Sequence, residues 1–172
     1  MRKAQTGSTD LFVAITIFTL LFVLIVLTWN NYAITLNSKF DFQEIQIKAF
    51  HISELLVKTA GSPSLWEDQE DPSRIVELGL AKKPNVISKE KAVRIIDSNF
   101  LDKEDIRDIL NINSYNFTIN ITDPNGVIKQ ENGNPLSFGD TQPTVKQSVV
   151  IIKRPVLYET ENAILKVVLW KK

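Results

Sequence analysis

The chain lacks cysteine altogether and has a single histidine, His51, among its 172 residues. Without thiols it forms neither disulfides nor thiolate metal sites. Zinc centres and nucleophile–base pairs draw on further histidines or cysteines, so we expect His51 to be an ordinary packed or surface residue. A glycine-rich phosphate loop is also missing. The sequence therefore predicts no catalytic residue, no metal, no cofactor and no enzyme activity.

An excess of either charge is missing too, because twenty basic and twenty acidic residues cancel. This balance gives no electrostatic footprint for nucleic acid, and we expect no nucleic-acid partner. The densest acidic stretch is WEDQED, from Trp66 to Asp71. It lacks the glycine and the ligand spacing of an EF-hand loop, which favours a solvated acidic loop over a weak calcium site.

Charge is wholly absent from Leu11 to Trp29. About 20 apolar residues cross a bilayer as a helix, so this run predicts a transmembrane helix. Its polar members are Thr16, Thr19 and Thr28, whose hydroxyls can bond back to helix carbonyls. A secretory signal has a shorter core of about 7–15 residues and a small-residue cleavage site, and the sequence TWNNYAITLN that follows favours the membrane-spanning interpretation.

The charges flanking this run predict its orientation. Arg2 and Lys3 precede it, and basic residues stay on the cytoplasmic side of a membrane. We therefore expect residues 1–10 in the cytoplasm and residues 30–172 outside, in a single-pass protein of the cell membrane. The sequons at Asn116 and Asn120 make these residues glycosylation candidates, in agreement with an external position.

The helical pattern continues beyond the membrane. No proline or glycine occurs from Thr9 to Ala60, and Gly61-Ser62-Pro63 is the first stop signal. The sequence thus predicts one helix up to about Ala60, with residues 30–60 as its extracytoplasmic part and residues 61–172 as a head domain.

Two apolar stripes follow this outer part of the helix, whereas a surface helix normally has one. The first contains Phe42, Ile45, Ala49, Ile52 and Leu56, and we expect it to pack under the chain's own domain. The second contains Leu36, Phe40, Ile47, Phe50 and Val57, and we expect it to contact other subunits. The alternative is a helix that its own domain covers on both sides.

The head is predicted to be α+β, with two short helices and an antiparallel sheet of about four strands. Ser88 and Asp102 are good N-caps for helices over 89–99 and 103–110. The alternating stretch 115–122 predicts a strand, followed by a turn over 123–126 and a hairpin partner in GVIKQE. Two further strands flank the TEN turn at 160–162, and Pro155 demotes its part of the third strand to an edge or a bulge.

The opening residues resemble the class III signal peptide of archaeal type IV pilin-like precursors. Arg2-Lys3-Ala4-Gln5, followed by Ser8 and Asp10 and then the apolar helix, carry this resemblance. It implies that a prepilin-type leader peptidase cuts between Ala4 and Gln5, which makes Asp10 sixth in the mature chain, one position later than is usual in the family. It also implies a filament with bundled apolar helices, in which Asp10 pairs with the new amino terminus of a neighbouring subunit.

A second, shorter resemblance concerns the segment from Gly61-Ser62-Pro63 through Trp66 to Gly79-Leu80-Ala81, which is similar to one in archaeal membrane-anchored pilin-like proteins. Two functions of different class remain open. The first is a pilin-like subunit, a minor component of a surface filament, whose partners are membrane lipid, other pilin-like subunits and the leader peptidase. The second is an anchored external binding domain that does not polymerise. Cleavage after Ala4 or Gly7 favours the first, and an intact Met1–Lys3 at the mature N-terminus favours the second.

Overall fold

The computed structural model describes residues 3–141 and 148–172, with side chains for all of these except 3–9, 37 and 38. The chain divides into two compact units, Met1–Gln43, here called the stem, and Glu44–Lys172, here called the head. The fold is α+β, as the sequence predicts, with one long N-terminal helix and a sheet domain.

The helix α1 extends over Lys3–Lys58 and contributes to both units. It begins before the predicted start at Leu11 and ends two residues before Ala60. The absence of proline and glycine after Thr9 predicted this continuity, and the helix is unbroken at Asn30 and Asn31 although asparagine is a poor helix former.

Two 3₁₀ turns follow, at Trp66–Asp68 and Pro72–Arg74. Two short α-helices come next, and both begin at the predicted N-caps. In α2 (Lys89–Ile95) the Ser88 hydroxyl accepts the Lys91 backbone N–H, and α3 (Lys103–Ile109) begins with a capping box in which Asp102 and Asp105 accept each other's backbone N–H. The helix α2 ends earlier than the predicted Asn99. The Asp97 carboxylate accepts the Asn99 N–H in an Asx-turn, which competes with continued helix.

The described residues of the head form eight strands: β1 (Ala81–Lys83), β2 (Val86–Ile87), β3 (Tyr115–Thr122), β4 (Gln130–Glu131), β5 (Asn134–Pro135), β6 (Ser137–Gly139), β7 (Val149–Tyr158) and β8 (Glu161–Lys171). Six of them form one sheet in the order β1-β2-β7-β8-β3-β6, and β4 pairs with β5 in a separate ribbon. The sheet therefore has six strands where about four were predicted, and it is mixed, because β2 runs parallel to β7.

The three long strands are the predicted ones, and the turn between β7 and β8 pairs Tyr158 with Glu161. The GVIKQE hairpin differs from its prediction. Ile128 bridges to Thr122, but Gln130–Glu131 pairs with β5 instead of continuing along β3. The reason is the pair Asn132-Gly133, whose φ angles of 52° and 81° suit the tight hairpin turn that turns this segment back on itself.

Pro155 lies where the sequence placed it, on an edge. It pairs with Ile164 of β8 on one side. On the other side the described residues of β7 pair with β2 at Leu157 and Tyr158, beyond the proline. The missing N–H of Pro155 therefore costs the sheet no ladder hydrogen bond on that side.

The hydrophobic core of the head lies between the end of α1, the short helices and one face of the sheet. Alternate residues of β3 and β8, such as Phe117, Ile119 and Val167, point into it. The helix contributes Ile45, Ala49, Ile52 and Leu56, four of the five residues of the predicted inner stripe. The last part of α1 thus belongs to the compact unit Glu44–Lys172.

Candidate membrane and assembly surface

Within the stem, α1 has an uncharged apolar segment from Leu11 to Trp29. Its large side chains from Leu11 to Trp29 are all exposed within the chain, and the segment is long and apolar enough to cross a membrane. The hydroxyls of Thr16, Thr19 and Thr28 donate to the carbonyl oxygens four residues earlier, each at 2.8 Å, as predicted. No hydroxyl of this run is thus left without a partner in an apolar medium.

The structure describes only part of the leader. Lys3, Ala4 and Gln5 belong to the first turns of α1, whereas Arg2 lies outside the described residues. Asp10 is exposed at the start of the apolar run. Its pairing with the amino terminus of a neighbouring subunit stays a prediction.

The other end of α1 is fixed to the head by hydrogen bonds to its last carbonyl groups. The backbone N–H groups of Leu80, Asn85 and Ala81 donate to the carbonyl oxygens of Leu56, Val57 and Thr59 at 2.9–3.0 Å. The final carbonyls of a helix have no partner within the helix. Here the segment around β1 and β2 supplies those partners, and the helix end becomes part of the head.

A buried lysine completes this end of the helix. The ammonium of Lys91 donates to the carbonyl oxygens of Ala60 at 2.6 Å and Ser64 at 2.7 Å, and lies 3.7 Å from the Glu67 carboxylate. Burial lowers the pKa of Lys91, and Glu67 opposes that shift. A cation at the carboxyl end of a helix also complements the helix dipole.

The segment 61–81, singled out in the sequence, packs as one unit. Gly61 has a φ of 85°, and a Cβ there would lie 2.8 Å from Cδ1 of Trp66. Ser62 and Glu77 form an isolated bridge. The indole of Trp66 is fully buried and donates to the carbonyl oxygen of Gly79. The glycines and the tryptophan of this segment therefore serve close packing at the end of α1.

The predicted outer stripe divides into exposed and buried residues. In the head, Ile47 is 70 % exposed and Phe50 is 49 % exposed; these two residues are here called the outward face. In the stem, Phe40 is exposed and Leu36 is half-buried. Val57 is 2 % exposed and belongs to the head's core, so its assignment to contacts with other subunits is corrected. The segment around β1 and β2, bound to the helix end, encloses this position.

The inner stripe also needs one correction. Phe42, expected to pack under the domain, is 39 % exposed and lies in the stem, before the head begins. The core starts with Ile45, one helical turn later. Helical spacing alone gives the direction of a side chain but not where along the helix the head begins.

The sequence did not predict the cation that lies beside the outward face. The guanidinium of Arg154 lies 4.4 Å from the ring centroid of Phe50, and its Nε donates to the Ser53 hydroxyl at 3.1 Å. Glu54 lies 3.7 Å from the same guanidinium. Alternation along β7 places Arg154 on the core side of the strand. The sequence pattern alone gave no reason to expect a charged residue on that side. Arg154 fixes the Phe50 ring by a cation–π contact.

The two glycosylation candidates are strand residues of β3. Asn120 is 4 % exposed, and its side-chain oxygen accepts the Ser137 hydroxyl at 2.7 Å. Asn116 is half-buried, and its side-chain oxygen accepts from Arg107 at 3.3 Å. A glycan needs an accessible asparagine on the surface. Asn120 is therefore not the accessible surface residue that a glycan needs, and Asn116 is only partly accessible.

The acidic stretch Trp66–Asp71 is divided among separate contacts. Glu67 lies beside Lys91, and the Asp71 carboxylate accepts the Ser73 backbone N–H at 2.9 Å. The Ser73 side chain and, second, this backbone N–H lower the pKa of Asp71. Among residues 3–141 and 148–172 no group of histidine, cysteine, aspartate and glutamate side chains has a geometry suited to a metal ion. The contacts observed here are structural.

Comparisons of this chain with protein-family models, with curated proteins and with solved structures gave no match. What the chain itself provides is a long apolar N-terminal helix joined to a sheet head, an arrangement compatible with a pilin-like or a membrane-anchored protein.

Proposed function

We propose that this protein is a pilin-like subunit, a minor component of an archaeal type IV pilus-like filament. Before assembly its apolar helix lies in the membrane, with residues 1–10 in the cytoplasm and residues 30–172 outside. A prepilin-type peptidase removes the leader between Ala4 and Gln5. The apolar helix then moves from lipid into the protein interior of the filament.

The observation that carries this proposal is the exposed apolar surface of α1. A soluble protein rarely leaves a large contiguous apolar patch without a partner, and here every large side chain from Leu11 to Leu27 is exposed. Lipid satisfies this surface in the membrane, and neighbouring helices satisfy it in a filament. The role is one of structure and interaction, not catalysis.

Asp10 has a specific part in the proposal. A carboxylate at the centre of a bilayer costs about 2.5–3.5 kcal/mol on insertion scales, but Asp10 stands at the edge of the apolar run. In the filament it is surrounded by helices, and the new amino group of a neighbouring subunit gives it a counter-charge. Such a pair sets the axial register between subunits.

The second candidate is an anchored external domain that binds a partner without polymerising. The burial of Val57 favours it, since this burial reduces the outward face of the head to Ile47 and Phe50. Fewer exposed apolar residues on the head leave less surface for contacts between heads.

Mass spectrometry of the amino terminus of the membrane-extracted protein tests the proposal. A mature chain that begins at Gln5, found also in purified filaments, supports the pilin-like function. An intact Met1–Lys3 in cells that process other precursors would overturn it in favour of the anchored domain.

A further inference from the structure

A polar groove lies on the face of the sheet that points away from the core. It is lined by alternate residues of β3 and the turn after it together with residues of β7 and β8, and its volume is about 320 Å³. The residues that matter here are Asn120, Thr122, Asn125, Lys153 and Lys166, and this site is called the outer-face groove. Its volume falls within the range of small-ligand sites, about 300–1,000 Å³.

Two lysines meet at the groove. Lys153 of β7 and Lys166 of β8 are direct partners in the antiparallel register. Like charges directly opposite each other destabilise a sheet. Within the described residues no carboxylate forms an ion pair with either lysine. The positive charge at this point of the sheet is therefore not neutralised by the described part of the chain.

Neutral polar groups continue the same row. Asn120 of β3 is the register partner of Lys166, and it is buried, as is Thr122 two residues later. The side-chain oxygen of Asn120 accepts the Ser137 hydroxyl, which leaves the NH₂ group of the amide as a donor. The Thr122 hydroxyl donates to the carbonyl oxygen of Ile164 at 3.4 Å and keeps its capacity to accept a hydrogen bond. The two lysines, the amide and this hydroxyl line one groove, a combination suited to an anion that also carries hydroxyls.

The nearest acidic residue of the lining turn is occupied elsewhere. The Asp123 carboxylate accepts the Val127 backbone N–H at 2.8 Å and the Asn125 side-chain N–H at 3.3 Å, and the bond from Val127 lowers the pKa of Asp123. Asp123 holds the turn that closes one end of the groove. Its charge serves the turn and not the lysines.

We propose that the outer-face groove binds an acidic saccharide, with the carboxylate between Lys153 and Lys166 and the ring hydroxyls on Asn120 and Thr122. The size of the groove suits one or two sugar units of a longer acidic oligosaccharide. Charge-assisted hydrogen bonds from the two ammonium groups supply most of the affinity, and the polar floor discriminates a sugar acid from a simple anion. This binding is independent of whether the chain polymerises.

The test is calorimetric titration of the full chain in detergent micelles with three probes: trigalacturonate, the neutral trisaccharide maltotriose, and inorganic phosphate. Trigalacturonate should bind saturably and more weakly at higher ionic strength, maltotriose should not bind, and phosphate should bind more weakly than trigalacturonate. Lys153→Gln and Lys166→Gln should each weaken trigalacturonate binding at least about tenfold.

The matched control is the double variant Lys82→Gln and Lys83→Gln, which removes two exposed lysines of β1 outside the groove. It should bind trigalacturonate as the wild type does. Circular dichroism melting should find both groove variants folded, since removing one of two opposed like charges does not weaken the sheet. Absence of saturable binding, equal binding of phosphate, or an equal loss in the control would each overturn the proposal.

Discussion

The indole Nε1–H of Trp66 donates to the carbonyl oxygen of Gly79 at 2.7 Å, and Gly79 has no space for a side chain. A Cβ at Gly79 would lie 2.3 Å from the carbonyl oxygen of Thr59. At Gly79 the end of α1 and the segment leading to β1 therefore meet with backbone directly against backbone.

Gly79→Ala should destabilise the head by about 1–3 kcal/mol, because the added methyl group forces two backbone segments apart. Urea unfolding of the full chain in micelles measures the change. Val76→Ala, at a 77 % exposed position of the same segment, serves as the control and should change stability by less than about 0.5 kcal/mol. Equal stability of the two variants would contradict the packing described for Gly79.

Lys91→Met should destabilise the head by about 3–5 kcal/mol, because it leaves the buried Glu67 carboxylate without its cation. It also removes the donor to the Ala60 and Ser64 carbonyls. Thermal unfolding followed by circular dichroism measures the loss. The double variant Lys91→Met and Glu67→Gln should recover part of it, whereas Lys89→Met, which breaks a more exposed pair with Glu131, should cost less than about 1 kcal/mol. A Lys91 variant as stable as the Lys89 variant would refute this role.

Ile47→Asp and Phe50→Asp should prevent assembly while the head stays folded, because both side chains belong to the outward face. Sheared-filament yield and circular dichroism of the membrane-extracted protein are the two measurements. His51→Asp, at the exposed position next to Phe50, should assemble normally. Ile52→Asp should unfold the head itself, since Ile52 is in the core. Normal filaments from both outward-face variants would remove this face from the assembly mechanism.

Asp10→Ala should still insert into the membrane but should assemble poorly, because the proposed counter-charge for the neighbouring amino terminus is gone. Membrane fractionation and filament yield separate the two effects. Asp10→Glu, which keeps the charge, should retain part of the assembly. If Asp10→Ala filaments form at the wild-type level, the register role of Asp10 is wrong.

A tag placed after Lys172 should be digested when protease is added to intact cells, because Arg2 and Lys3 are expected to hold the amino terminus in the cytoplasm. A cytoplasmic protein with the same tag serves as the control for cell integrity. Protection of the tag on Lys172 in intact cells, with digestion after lysis, would reverse the proposed topology.

The sequence predicted the elements whose signals are local. The alternating stretch 115–122, the caps Ser88 and Asp102 and the breaker-free run after Thr9 each describe a structure that the chain forms within a few residues of the signal. The Asn132-Gly133 hairpin was equally local, and its signal was available in the sequence.

The elements missed are those that depend on distant partners. The strands β1, β2 and β6 have two or three residues each, too few for any alternation to be recognised. Val57 is buried because a segment more than twenty residues away in sequence encloses it. Arg154 lies on the core side of β7, where it donates to Ser53 of α1. No pattern within β7 predicts this contact.

The position of β8 in the sheet has a consequence for the order of folding. β8 lies between β3 and β7, and it is synthesised after both of them. One edge of β3 therefore has no long strand paired with it while the ribosome is still adding residues 161–171. The end of α1, by contrast, finds its partners at residues 80–91, which leave the ribosome much earlier. Contacts between sequence-distant strands form slowly, and their exposed edges favour aggregation. Nascent chains of this protein should thus be most vulnerable between the docking of the helix and the arrival of β8.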